Sequence, residues 1–116
     1  MRTVRLECTG MTGDALLVVL ATLANPCRLR IVATLAEERN YVSRLARELD
    51  ISRALLQVHL RKLEAAGLVS AAVEVSQDGK AMKFYDVVPF ALRLTPKTIM
   101  VAVRSPGAAS DLESAE

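Results

Sequence analysis

A chain of 116 residues, 52% hydrophobic and 24% charged, is sized for one domain with a real core and a short tail. Aromatic residues make up only 3%, so the core is expected to consist of Leu, Val, Ile, Ala and Met, and nucleic-acid binding by stacking bases on several rings is disfavoured. The net charge of +2 hides an asymmetry: residues 1–104 hold all 15 Lys and Arg against 10 acids, a balance that suits a polyanionic partner, while residues 105–116 carry Asp111, Glu113 and Glu116 and no base.

In chain order, residues 1–11 are mixed, and a weak alternation over Thr3–Glu7 allows a short strand. A helix is expected to begin near Thr12–Asp14, with Thr12 or Asp14 as its cap. Its body, Ala15 to Ala21, is apolar all round, so it has to be covered on more than one side. A second subunit is one source of that cover. The apolar run Ala15–Ala24 is about half the roughly 20 residues of a membrane span. Arg2 and Arg5 ahead of it mimic a signal peptide. Against that reading, Glu7 and Asp14 precede the run, and Asn25-Pro26 stands where a small-residue cleavage site is needed.

Asn25-Pro26 reads as an N-cap followed by proline at the first helical position. The helix is expected to reach about Glu38, with Leu29, Val32 and Leu35 (and Ile31) facing inward and Arg28 and Arg30 partly exposed. Ser43 is expected to cap a short helix, Arg44 to Leu49, with Leu45, Ala46 and Leu49 inside. Asp50-Ile51 turns the chain, Ser52 caps a longer helix, and Gly67 supplies the left-handed residue that ends it. Leu56, Leu60 and Leu63, spaced by four and three, mark one buried face of that helix.

From Val69 the period becomes two. Val69, Ala71, Val73 and Val75 alternate with Ser70, Ala72, Glu74 and Ser76, and Gln77-Asp78-Gly79-Lys80 carries a hairpin-turn signal. A second strand, Ala81 to Val88, returns, with Met82 and Phe84 expected inward and Lys83 and Tyr85 outward. Thr95-Pro96 repeats the cap-then-proline device before Ile99, Met100, Val101 and Val103. A short helix is favoured for residues 96–104, with a strand as the alternative because of the β-branching. The folded domain is thus drawn at residues 12–104, between an N-terminal segment 1–11 and a disordered acidic tail 105–116.

The predicted class is mainly α with a small antiparallel β-hairpin, in the order of a winged helix-turn-helix. In that arrangement the second helix of the pair (about 52–66) enters the major groove of double-stranded DNA, and the hairpin (about 69–88) reaches the neighbouring backbone as a wing. With Leu56, Leu60 and Leu63 inward, a turn of about 100° per residue places Ala54, Val58, Arg61 and Ala65 outward, flanked by Gln57 and Lys62, with Arg53 at the start. Arg61 suits guanine or phosphate and Gln57 suits adenine, whereas Ala54 and Val58 offer only apolar contact, for example to a thymine methyl. Ser52 at the helix N-terminus, Lys80 and Lys83 on the wing, and Arg44 and Arg47 on the preceding helix are candidates for phosphate. A dimer making about 6–10 phosphate contacts is expected to lose roughly 10³–10⁵ in affinity between 50 and 200 mM salt.

Two stretches carry a family resemblance. Leu23-Ala24-Asn25-Pro26-Cys27-Arg28-Leu29-Arg30-Ile31-Val32 resembles the opening Asn/Asp-Pro-x-Arg-Leu-x-Ile element of ArsR-type winged-helix regulators. His59-Leu60-Arg61-Lys62-Leu63-Glu64-Ala65-Ala66-Gly67-Leu68-Val69 is similar to their His-Leu-x-x-Leu-x-x-x-Gly-Leu-Val element, and the resemblance covers roughly residues 15–90. It implies a transcriptional regulator acting as a homodimer, with the first and last helices at the interface: Leu16, Val19, Leu20 and Leu23 from one, Ile99, Met100 and Val103 from the other. The sequence also departs from the family. Many members sense metals through cysteines where this chain reads Tyr41-Val42-Ser43-Arg44-Leu45-Ala46-Arg47-Glu48-Leu49, so that metal site is absent. The Ser and Thr usual before His-Leu are replaced by Ala54-Leu55-Leu56-Gln57-Val58.

Cys8 and Cys27 stand far apart beside a single histidine, His59, which is expected to pack or cap rather than to ligate; no zinc ligand set and no cofactor are expected. No nucleophile–base pair, phosphate loop or convergent carboxylates point to an enzyme. A cytoplasmic, reduced protein with no membrane partner is expected; the sequence names no small-molecule effector. Two rival readings stand beside the regulator: a winged-helix module that binds protein rather than specific DNA, and a regulator with a thiol or metal input through Cys8 or Cys27.

Overall fold

The computed structural model describes residues 11–105. The possible strand at 3–7, Cys8 and residues 106–116 of the expected tail lie outside them. Ser105, placed in that tail from sequence, is tied to the end of the last helix: its N–H donates to Ala102 O at 3.1 Å. The elements are α1 (Gly13–Leu23), α2 (Pro26–Glu37), β1 (Asn40–Tyr41), α3 (Val42–Leu49), α4 (Arg53–Ala65), β2 (Val69–Val75), β3 (Ala81–Val87) and α5 (Pro96–Val103). They fall into two compact units. One comprises residues 22–88; the described parts of the other are residues 11–21 and 89–105.

In the 22–88 unit, Asn25 caps α2 as expected: its Oδ1 accepts the N–H groups of Cys27 and Arg28 at 2.9 and 3.2 Å, with proline following. The inward stripe differs from the expectation. Ile31 and Leu35 are fully buried, but Leu29 is 53% exposed. The position one turn before Ile31 and Val32 is taken by Arg28, whose guanidinium is used for hydrogen bonds inside the unit. An apolar pattern alone does not reveal that a cation fills an inner position.

The helix pair α3–α4 is joined by Asp50, whose left-handed φ of 56° turns the chain, and its N–H and that of Ile51 return to the end of α3. Ser52 caps α4, accepting Leu55 N–H at 3.0 Å. At the other end Gly67, with φ 78°, allows two closing bonds: Leu68 N–H to Leu63 O and Gly67 N–H to Glu64 O, both 3.0 Å. This 6→1 and 5→2 pair closes α4 and brings buried Leu63 and Leu68 together. Leu56, Leu60 and Leu63 are fully buried, each contributing roughly 1.5–3 kcal/mol by burial.

Two expectations are corrected here. Helix α3 begins at Val42, not Arg44, and its cap position is Tyr41 with no side-chain cap bond, so Ser43 is not the cap. The reason is a short strand the sequence did not announce. β1 pairs antiparallel with β3, Asn40 opposite Tyr85 and Tyr41 opposite Phe84, which holds Tyr41 extended until the helix starts. The faces of β3 are also reversed. In the sheet order β1-β3-β2, Val75 pairs with Ala81, Ala71 with Tyr85 and Val69 with Val87. Directly opposed residues share a face, so Tyr85 lies with Val69 on the buried side and is 2% exposed. Phe84 points the other way, meeting the Tyr41 ring edge-on at 5.7 Å and the Arg39 guanidinium at 4.5 Å. Arg39 also forks onto Glu74, with Nη2 3.0 Å from Oε1, pinning the wing strand to β1 and holding the Glu74 carboxyl below the ordinary carboxylate value. The hairpin loop folds as the Asp-Gly signal implies: Gly79 N–H bonds Ser76 O at 2.9 Å, and Gly79 takes φ 84°.

In the unit holding residues 11–21 and 89–105, Thr12 Oγ1 accepts Ala15 N–H at 3.1 Å at the start of α1. The C-terminal segment is a helix. Thr95 and Thr98 form a reciprocal capping box, each side chain accepting the other's backbone N–H at 3.1 and 2.9 Å. This local device decides for helix against the strand alternative. Leu16 and Ala102 pack together with Met11 and Leu20 around them.

Candidate nucleic-acid interface

The exposed side of α4 carries Arg53, Ala54, Val58, Arg61, Lys62 and Ala65, where the helical phase places them, while Gln57, expected at its flank, is half-buried. Lys80 is exposed in the hairpin loop and Lys83 on β3. A cleft of about 410 Å³ lies where α3, α4 and β3 meet; Arg53, Gln57, Lys83, Ser43 and Tyr41 are among its lining residues. Gln57 and Arg53 are thus brought beside the wing lysine, whose Nζ lies 5.4 Å from the centre of the Tyr85 ring. Ser52 spends its oxygen as an acceptor on the helix cap, leaving its O–H to donate.

The cations are not equivalent. Arg44 is held by Glu48 at 3.3 Å and lies 4.0 Å from Glu38. Arg39 is held by Glu74. Among the described residues no carboxylate lies within ion-pair distance of Arg53, Arg61, Lys62, Lys80 or Lys83. Five exposed cations without a carboxylate partner among the described residues thus lie on α4 and the wing, Arg47 of α3 is in the same state, and Arg44 is the weaker candidate of the predicted set.

His59 is packed, as expected, at 8% exposure. Its Nδ1 accepts from Arg28 Nε at 3.1 Å, and Arg28 Nη1 donates to Thr22 O at 3.1 Å. Sequence reasoning missed this tie between α2 and α4, although Arg28 and His59 are both present in the motifs it used. Burial first, then the charges of Arg28 and Lys62, push the imidazole below its ordinary value. The sign follows directly. Unfolded His59 takes its proton near pH 6.5 and the folded one only at lower pH, so the unfolded state binds more protons between those two values. The contribution of His59 to stability is complete above pH 6.5 and is lost as pH falls from there towards the folded value. Urea unfolding between pH 7.5 and 5 is expected to show this acid loss in the wild type and a smaller one in His59→Gln. Equal loss in both would remove His59 as its source.

Sequence reasoning also passed over Leu55, which is 45% exposed on α4 beside Val58 at 39%. The helical phase held the signal, since Leu55 lies about 105° from the centre of the buried face.

The second predicted cluster divides in two. Leu16 and Val19 are buried within the single chain, and Leu20 and Leu23 are half-buried. Leu17, Val18, Ile99, Met100, Val101 and Val103 are exposed, and Gly13, Leu16, Leu17, Leu20, Ile99 and Val103 line a wholly apolar hollow of about 150 Å³. Among the described residues no cluster of His, Cys, Asp and Glu could hold a metal ion, and no single helix is long and apolar enough to cross a membrane.

Residues 25–71 match the sequence profile of a family described as bacterial regulatory protein, arsR family. Over 68 residues the chain is 37% identical to an HTH-type transcriptional regulator of Methanocaldococcus jannaschii, covering 59% of this chain and 70% of that protein. It is 43% identical over 51 residues to the nodulation protein NolR of Rhizobium meliloti, covering 44% and 42% of the two chains. Among solved structures, NolR from Sinorhizobium fredii superposes with a TM-score of 0.56 at 27% identity, over 85% of this chain and 84% of that one. HlyU from Vibrio cholerae gives 0.55 at 27% identity, over 78% and 87%.

Proposed function

Because this chain belongs to the ArsR family of helix-turn-helix transcriptional regulators, we propose that it engages operator DNA as a cytoplasmic homodimer, through α4 and the β2–β3 wing of each protomer. Like its family it is a DNA-binding regulator and not an enzyme. The observation that carries the proposed mode is the group of exposed cations, Arg53, Arg61, Lys62, Lys80 and Lys83, on α4 and the wing, none with a carboxylate partner among the described residues. Arg61 and Lys62 face the groove, Ser52 and Arg53 meet the backbone at the start of α4, and Lys80 and Lys83 meet it at the wing. Ala54 and Val58 allow the helix to approach closely, and Gln57 works from the cleft.

The dimer is assigned to α1 and α5. Its contact surface is Leu17, Val18, Ile99, Met100 and Val103, over a supporting layer of Leu16, Val19, Leu20 and Leu23. Six exposed large apolar residues on two short helices are more than a monomeric surface ordinarily shows together.

The test is fluorescence anisotropy against DNA from upstream of the protein's own gene and against scrambled DNA of equal length, across a salt series. A preference of about 10³-fold or more for the upstream DNA is expected at physiological salt, with affinity for both DNAs rising as salt falls. No binding to either DNA at low salt would overturn the proposal in favour of a protein-binding winged helix.

A further inference from the structure

The geometry of α4 points to selection of the operator by thymine 5-methyl groups, received by Leu55 and Val58. This deepens the DNA-regulator reading and rests on it.

Leu55 and Val58 are large apolar side chains left in solvent on a helix whose other leucines are fully buried. Three residues apart, they are neighbours on one side of the helix. Arg53 stands before them and Arg61 and Lys62 after them, all exposed and with no ion-pair partner among the described residues. An apolar pair framed by free cations suits a polyanion that itself presents apolar groups. In the major groove the thymine methyl is the apolar group that base edges display.

The hydrogen-bonding side chain best suited to adenine, Gln57, is half-buried and lines the cleft with Arg53 and Lys83, whereas Leu55 and Val58 stand exposed. Arg61 and Lys62 remain to read guanine or to hold phosphate. Leu55 and Val58 add apolar contact to this set, and Ala54, exposed one turn before Val58, adds no bulk to keep the helix from the bases.

The full-length protein is used to select a duplex from a random-sequence pool. Binding is then compared between that duplex and the same duplex carrying deoxyuridine in place of thymine, which removes the methyl and keeps every base-pairing group. The wild type is expected to lose about fourfold in affinity for each methyl it contacts. The double variant Leu55→Ala, Val58→Ala is expected to bind both duplexes equally, with its folding checked by circular dichroism. Equal binding of the wild type to both duplexes would overturn the inference and leave the DNA-regulator reading standing, as would full discrimination retained by the double variant. Failure to enrich or bind any duplex at low salt would overturn both.

Discussion

Replacing Ile99 and Val103 together with aspartate is expected to yield a monomer and to weaken operator binding by about 10²–10⁴-fold. Both residues are exposed in the single chain and line the apolar hollow with Leu16, Leu17 and Leu20. In a dimer that hollow closes, and two carboxylates per protomer would be taken out of water without a partner, which an interface core does not tolerate. The loss at the operator comes from avidity. With two recognition helices on one duplex, the second docks at a high effective concentration, and a monomer forfeits that gain without losing any DNA contact of its own. Light scattering after size exclusion reads the mass, and anisotropy on the operator and on a half-site reads the affinity. Half-site binding should hardly change. A variant that stays dimeric would remove this face from the interface.

Changing Arg53, Lys80 and Lys83 to glutamine should flatten the salt dependence of binding. Counted as one phosphate contact each, three per protomer and six per dimer, they lower the slope of log K against log salt by about 5, at roughly 0.9 for each phosphate. Arg44 already shares its charge with Glu48 at 3.3 Å, so Arg44→Gln should change the slope by well under the roughly 0.9 per protomer of a free cation. A triple variant whose slope matches the wild type would place the DNA elsewhere on the molecule.

Much of the helix-turn-helix was legible because its signals are local. Asn25-Pro26, Ser52 and Gly67 each act within one turn of the chain, and the structure places a cap or a left-handed residue at each. The outward face of α4 follows from Leu56, Leu60 and Leu63 by helical phase alone, and the free cations on it were found in the same way. Thr95 and Thr98 show the limit of composition. Ile99, Val101 and Val103 argue for a strand, but the capping box starts a helix, and it depends on a side chain at N3 that the cap-then-proline reading did not weigh.

Where pairing between distant segments decides the outcome, the sequence misled. The faces of β3 depend on which residue opposes Ala71, and the five-residue connection between Val75 and Ala81 sets that register. β1 exists because Asn40 and Tyr41 find an open edge of β3, and α3 consequently starts early. Arg28 occupies an inner position of α2 because His59, 31 residues away, accepts its Nε–H. Leu16 and Val19 are buried within the single chain, Leu16 against Ala102, while Leu17 and Val18 beside them stay exposed, a division the sequence does not show.

By itself, then, the sequence determined the order and type of the helices, the wing turn and the basic outward face, because caps, glycine conformations and the 3.6-residue period are short-range properties of the chain. The tertiary structure decided which strand face is buried, which arginines are free, and which apolar residues of α1 and α5 remain uncovered. These depend on partners far along the chain, and a hydrogen bond or an ion pair can place a charged side chain where hydrophobicity alone would place an apolar one.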